Sequence, residues 1–241
     1  MKLGNNKCVF CIPIVAVTCG ELGKQAGSVL REHPDFAEWR VDYLNSDEDL
    51  SRASEIVKGL KDSGTGIIFT PRSIEEGGAG TLTDARRLEL IEYAVRNDLF
   101  DCLDIERASE EGFRRKAAEL VGASGKQLIL SSHNFVETPR SQSIDEILRG
   151  CGDADIVKAA FMCKNMDDFM TLQEAGRRFK NRDSRPLILI AMGRSGIVGR
   201  AVPELLSSCL SFAKGTQSSA PGQISLPEIY EARRMMGLAD A

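Results

Sequence analysis

No apolar run in these 241 residues is long enough to cross a bilayer. The apolar start is broken by Pro13 and then by the polar Thr18-Cys19-Gly20, so no signal-peptide core forms, and the expected compartment is the cytoplasm. Charge of one sign is not in excess: the formal net charge of -4 gives no electrostatic reason to bind nucleic acid. Cys8-Val9-Phe10-Cys11 has metal-knuckle spacing, but neither a second such pair nor a histidine pair completes a zinc site. The seven cysteines therefore read as reduced, mostly buried thiols, with no metal expected. Gly193-Arg194-Ser195-Gly196-Ile197-Val198-Gly199-Arg200 lacks the Gly-Lys-Ser/Thr ending of a nucleotide loop. Histidine is scarce as well, with only two in the chain. A histidine placed beside other chemistry is therefore informative.

What is present is alternation. Apolar, β-rich runs at 13–18, 36–41, 66–70, 102–105, 127–131, 156–160 and 187–192 are separated by helix-like segments at 22–32, 47–63, 83–97, 109–124, 143–150, 166–180 and 203–214. This order predicts a parallel sheet with helical crossovers. A weak eighth strand at 217–224 and a final helix at 226–238 complete the count for a (βα)8 TIM barrel, with a short N-terminal strand at 7–11 closing one end. An open doubly wound sheet is the alternative. Without a linker or low-complexity tract, residues 1–241 read as one barrel domain.

The charges are not spread evenly over these strands. Lys158 interrupts the apolar run Asp155-Ile156-Val157-Lys158-Ala159-Ala160, where a lysine needs a partner or a function. Burial favours a neutral amine, which attacks carbonyl groups to form a Schiff base. One strand earlier, Ser131-Ser132-His133-Asn134-Phe135 puts an imidazole at a strand end, placed for acid–base work. Glu38-Trp39-Arg40-Val41-Asp42 alternates with period two, so its three charges share one strand face. Arg72 and Glu76 follow the third strand, Asp104 and Glu106 lie on the fourth, and Arg200 precedes the segment at 203–214. Arg72 offers a bidentate fork for a carboxylate. In a barrel these positions gather at the C-terminal rim. The polar stretch Ser218-Ser219-Ala220-Pro221-Gly222-Gln223 can serve as a lid over a polyhydroxy ligand.

Taken in order, Glu-Trp-Arg-Val-Asp, Phe-Thr-x-Arg-Ser-x-x-Glu-Gly-Gly, Ser-Ser-His-Asn-Phe, Asp-Ile-Val-Lys and Ser-Ala-Pro-Gly-Gln resemble the type I 3-dehydroquinate dehydratases over nearly the whole chain. The resemblance implies a cofactor-free (βα)8 barrel, commonly a homodimer, that converts 3-dehydroquinate to 3-dehydroshikimate and water in the shikimate pathway. It implies Lys158 as the imine-forming amine and His133 as general base and acid. Glu76 and Asp104 match acidic residues near that histidine. Glu38 and Arg40 match substrate-hydroxyl contacts, Arg72 a further contact, Arg200 the carboxylate partner, and Ser219 and Gln223 contacts of the closing loop. One departure is on the first strand, where some members carry a serine and this chain offers Thr18. A class I aldolase on the same fold and a non-catalytic metabolite-binding protein are the rival readings.

Overall fold

The computed structural model describes residues 1–4, 7–45, 47–80, 82–217 and 219–238. Its order is β1 (Val9–Ile14), α1 (Cys19–Glu32), β2 (Phe36–Arg40), α2 (Leu50–Asp62), β3 (Gly66–Thr70), α3 (Asp84–Arg96), β4 (Cys102–Glu106) and α4 (Glu111–Ala123). The second half continues with β5 (Gln127–Asn134), α5 (Ser141–Arg149), β6 (Ile156–Met162), α6 (Met166–Lys180), β7 (Leu187–Met192), α7 (Ile197–Ala201), β8 (Leu210–Phe212) and α8 (Leu226–Met235). The strands pair in parallel in the order β7-β6-β5-β4-β3-β2-β1-β8. The seam between β7 and β8 is bridged by Cys209 N donating to Leu187 O at 2.8 Å. Ser208 Oγ accepts from Leu189 N at 3.0 Å across the same seam. The architecture is the expected α/β barrel.

The period-two alternation decides what lies where. Outward residues such as Trp39, Phe69, Leu103, Leu130, Val157 and Leu189 join the buried faces of the helices in one core. Inward residues Cys11, Phe36, Ile68, Cys102, Ile129 and Ile156 form a second, smaller core inside the ring. Gly66 is required there, because a Cβ at that position would meet the Phe36 ring at 2.5 Å. Helix starts carry side-chain caps from Thr18, Asp49, Thr83, Asn165 and Ser225, each contributing about 1 kcal/mol.

Two strand positions differ from the sequence reading. The stretches read as a closing strand at 7–11 and a first strand at 13–18 are one strand, Val9–Ile14, interrupted in neither register nor pairing by Pro13. Cys11 O accepts from Ala213 N, so Cys11 and, two residues on, Pro13 address the β8 side. There β8 has already ended, so the missing N–H of Pro13 leaves no gap in the ladder. The barrel floor is nonetheless closed, by Leu3 rather than a strand: it is buried, and its backbone N and O exchange hydrogen bonds with the Gln127 side chain.

The eighth strand is Leu210–Phe212, inside the stretch read as helix, while residues 217 and 219–224 of the stretch read as strand are irregular and 218 lies outside the described residues. The break falls at Ser207, left-handed at φ 56°, a change of direction that neither glycine nor proline marks.

Candidate active site

The apolar floor gives way at mid-barrel to a layer of charge. Glu38, Asp104, Ser131 and Lys158 sit one pleat above the apolar inward residues Phe36, Cys102, Ile129 and Ile156, so the same alternation aims them inward. Lys158 is only 4% exposed. Its Nζ donates to Asp104 Oδ2 at 2.6 Å, stands 3.5 Å from Glu38 Oε1, and lies 4.4 Å from the centre of the Phe212 ring. Thr70 Oγ1 donates to Glu38 Oε1 at 3.0 Å and holds that carboxylate in place. The bare amine expected from sequence is thus an ion pair in this state.

Asp104, which the resemblance places near the histidine, bonds this lysine, and its charge also acts on His133, raising its pKa. Its other oxygen accepts from Arg72 Nη2 at 2.9 Å and from Ser131 Oγ at 2.7 Å. Burial alone would raise its pKa, but the Arg72 and Lys158 charges outweigh that and hold it well below the ordinary carboxylate range. Arg72 also bonds Glu106 Oε1 at 2.9 Å and Ser131 Oγ at 2.7 Å. The fork expected to clamp a ligand carboxylate is therefore engaged by the protein's own acids.

His133 leaves β5 facing the same cavity. Glu76 Oε2 accepts from its backbone N at 2.9 Å and pairs with Nδ1 at 2.8 Å. With an ionised Glu76, this pairing assigns the ring proton to Nδ1 and leaves Nε2 as the free base. Phe135 stacks on the imidazole, with ring centres 6.1 Å apart. Desolvation, then the Arg72 and Lys158 charges, push the His133 pKa well below its ordinary value. Desolvation pushes Glu76 up to about 7, against the opposing pull of Arg72.

Arg40 pairs with Asp42 through two contacts of 2.8 Å and donates to Gly77 O at 3.0 Å. Asp42 lies in a 3₁₀ turn just past β2 rather than on the strand face. Arg200 has a different character. It is 2% exposed, its Nη2 makes a long bond to Pro221 O at 3.4 Å, and its Nε has no partner among the described residues. No carboxylate pairs with it among the described residues, and burial lowers its pKa to about 10. A buried cation without an acid is costly unless an anion completes it.

The polar loop borders the same cavity through Ser219, Ala220 and Gln223. Gln223 Oε1 accepts from Ser219 N at 2.8 Å and Ala220 N at 3.2 Å, and Gly193 N donates to Pro221 O at 3.1 Å. Gly222, at φ 78°, passes so close to Gly193 that a Cβ would stand 2.4 Å from its carbonyl oxygen. Ser218 falls outside the described residues.

The nine side chains of Glu38, Arg40, Arg72, Glu76, His133, Lys158, Arg200, Ser219 and Gln223 line one cavity, with Asp104 behind Lys158. Thr18 is elsewhere, capping α1. Phe212 and Thr70 were missed by sequence reasoning, Phe212 because its strand was read as helix. Arg87, in the segment predicted as a helix at 83–97, is missed as well: it is 1% exposed. Its spacing four residues after Thr83 on an amphipathic helix was the available signal. Among the described residues no cluster of side chains is arranged to hold a metal ion, and no helix is long and apolar enough to cross a membrane.

By fold and site, then, this is a (βα)8-barrel enzyme with a buried amine, an imidazole and an uncompensated arginine at its rim. Comparison with known proteins gives the class its family. The type I 3-dehydroquinase model matches residues 10–240. The 3-dehydroquinate dehydratase of Klebsiella pneumoniae subsp. pneumoniae is 34% identical over 230 residues, covering 92% of this chain and 91% of the relative. The Bacillus licheniformis enzyme of the same name is 32% identical, covering 96% and 93%. The crystal structure of 3-dehydroquinate dehydratase from Geobacillus kaustophilus superposes with a TM-score of 0.90 at 31% identity, over 98% of this chain and 93% of that one. The type I enzyme from Clostridium difficile, solved with covalently modified comenic acid, gives 0.87 at 27% identity, over 98% and 94%. This chain belongs to the type I 3-dehydroquinase family and, with it, to the carbon–oxygen lyases of the shikimate pathway.

Proposed function

We propose that the protein dehydrates 3-dehydroquinate to 3-dehydroshikimate and water by syn elimination through a Schiff base on Lys158. The observation that carries this reading is the buried Lys158 facing the same cavity as the His133–Glu76 pair. The covalently modified ligand in the Clostridium difficile relative fits a pocket nucleophile of this kind.

The chemistry follows from the charges. The substrate carboxylate pairs with Arg200, completing a cation that is otherwise uncompensated. Its hydroxyls meet Glu38 and Arg40, and the Ser219–Gln223 loop closes over them. The ketone carbon is attacked by Nζ after the amine passes its proton to a neighbouring base, and loss of water gives the iminium. The positive iminium takes the place of the ammonium beside Asp104, so the carboxylate stabilises the intermediate as it did the lysine. His133 Nε2 removes the proton from the adjacent carbon, and the electron pair moves into the iminium to give an enamine. The enamine expels the hydroxyl, which leaves as water with the proton from His133. Hydrolysis releases the enone and restores Lys158.

In the same reading residues 1–241 are one barrel domain working as a cytoplasmic homodimer. The seven free thiols support a reducing compartment. Exposed Met166 and Met170, one turn apart on α6, with Ile197 and Val198 at the start of α7, offer an apolar face for the second copy. The function is tested by mixing protein with 3-dehydroquinate and following the ultraviolet absorbance of the conjugated enone. Growth that is absent in a folded Lys158→Ala variant supports the reading, and a folded wild-type protein that gives no signal rejects it.

A further inference from the structure

Arg87 is the largest buried charge that the proposed chemistry leaves without a role. It projects from α3, outside the strand ring, yet is 1% exposed. Its Nε donates to Pro71 O at 2.8 Å, fixing the backbone just before Arg72. Its Nη1 bonds Asp84 Oδ1 at 2.9 Å, and its guanidinium lies 4.3 Å from the centre of the Phe113 ring. Its Nη2 donates to Glu106 Oε2, the oxygen that also accepts from Ser109 Oγ at 3.1 Å. The other oxygen of Glu106 accepts from Arg72 Nη1 at 2.9 Å and Ser73 N at 3.0 Å. Arg72 then holds Asp104, and Asp104 holds Lys158.

The result is a line of alternating charge, Arg87–Glu106–Arg72–Asp104–Lys158, running from a helix outside the barrel to the amine inside it. Each member is almost wholly buried, so each depends on its neighbours to offset its desolvation. Arg72 alone faces two acids, Asp104 and Glu106. Without Glu106 anchored from behind, its fork is free to turn wholly onto Asp104 or toward the cavity.

We propose that Arg87, acting through Glu106, is a positioning residue for the dehydration: it fixes the fork of Arg72 and thereby where Asp104 holds the Lys158 amine. Arg87 touches neither the cavity nor the amine, and its contribution is geometric. A planar guanidinium serves three acceptors at once, the Pro71 carbonyl, Asp84 and Glu106, which an ammonium cannot do with the same directions. The inference rests on Lys158 being the imine-forming residue.

The test compares Arg87→Met, Arg87→Lys and Glu106→Gln with the wild-type protein, using Arg86→Met, an exposed neighbour paired with Glu89, as the control. The readouts are kcat, KM, the pH profile of kcat/KM, melting temperature, and the rate of the borohydride-trapped adduct. Arg87→Met and Glu106→Gln lower kcat and the trapping rate roughly 10- to 100-fold, the range for losing a residue that orients a reacting group. KM changes little, because no substrate contact is removed, and Arg87→Lys recovers part of the loss.

The acid limb of the profile also moves. The limb follows Glu76, which takes the first proton: Arg72 lowers its pKa, while Glu106 and Asp104 raise it, and Arg72, Lys158 and Arg40 lower that of His133 while Asp104 raises it. In Arg87→Met, which keeps Glu106, a displaced Arg72 changes these contributions and the limb shifts; Glu106→Gln also deletes a charge acting on Glu76, so it is read by kcat and the trapping rate. A merely structural role would lower the melting temperature and leave the limb in place. If Arg87→Met does not fold, Glu106→Gln carries the test. Unchanged kcat and trapping rate in folded Glu106→Gln, with an unmoved limb in a folded Arg87 variant, overturn the inference while leaving wild-type trapping at Lys158 intact. A wild-type protein that forms no adduct during turnover overturns the imine reading and this inference with it.

Discussion

The two ends of the barrel solve opposite problems with the same strands. At the N-terminal end the inward side chains are Cys11, Phe36, Ile68, Cys102, Ile129 and Ile156, sealed by Leu3. One pleat higher the inward side chains on β2, β4, β5 and β6 are Glu38, Asp104, Ser131 and Lys158, of which Glu38 and Lys158 line a cavity. The lower layer gains stability from burial alone. The upper layer loses water from every charge and recovers stability only through pairing. Stability and chemistry are thus separated along the barrel axis, and Arg200, buried without an acid, marks where stability is given up for a ligand.

Substitutions that break this division should do so unequally. Lys158→Ala removes the reacting atom and should reduce turnover by on the order of 10⁴-fold or more, as loss of a covalent nucleophile does elsewhere. Circular dichroism should show the fold intact, since Arg72 still pairs with Asp104. His133→Ala should cost about 10²- to 10⁴-fold in kcat, the usual contribution of a general acid–base group. In the lower layer the effects reverse: Ile129→Ala should cost about 2–5 kcal/mol in denaturant unfolding while kcat stays near that of the wild-type protein. Arg200→Met sharpens the contrast in one residue. It should raise KM by roughly 10- to 100-fold, the worth of a charge-assisted contact, and also raise the melting temperature by removing an uncompensated charge.

The smallest perturbation is a proton. Glu76 is pushed up to about 7 by burial, while His133 is pushed well below its ordinary value. As pH falls through about 7, the first proton therefore goes to Glu76 rather than the imidazole. A protonated Glu76 donates to Nδ1, the ring proton shifts to Nε2, and the free base in the cavity is lost. The pH profile of kcat/KM should accordingly show an acid limb near pH 7, which Glu76→Gln abolishes.

Much of this was legible in the chain itself, where period-two patterning meets stop signals. The strands from β2 to β7 were placed to within a few residues because their inward and outward faces differ so clearly in chemistry. The first and last strands were misplaced for a shared reason. Both belong to the closure of the ring, where long-range pairing overrides local preference. Pro13 is tolerated because β8 is too short to need its N–H, and β8 is a strand because Cys209 bridges to Leu187. At the site, which side chains share the cavity is legible in the sequence, and which of them pair is not. Asp104 reaches the histidine only through its charge and bonds the lysine, and the Arg72 fork is engaged by Asp104 and Glu106. Strand patterning says which way a side chain points, while the residue it meets depends on the stagger between strands.

The most direct test of the central claim is intact-mass and peptide analysis after the protein turns over 3-dehydroquinate in the presence of borohydride. The account predicts one reduced substrate adduct per chain, carried on the peptide that contains Lys158 and absent from Lys158→Ala. Continued turnover with no adduct, or an adduct on a different lysine, would contradict it.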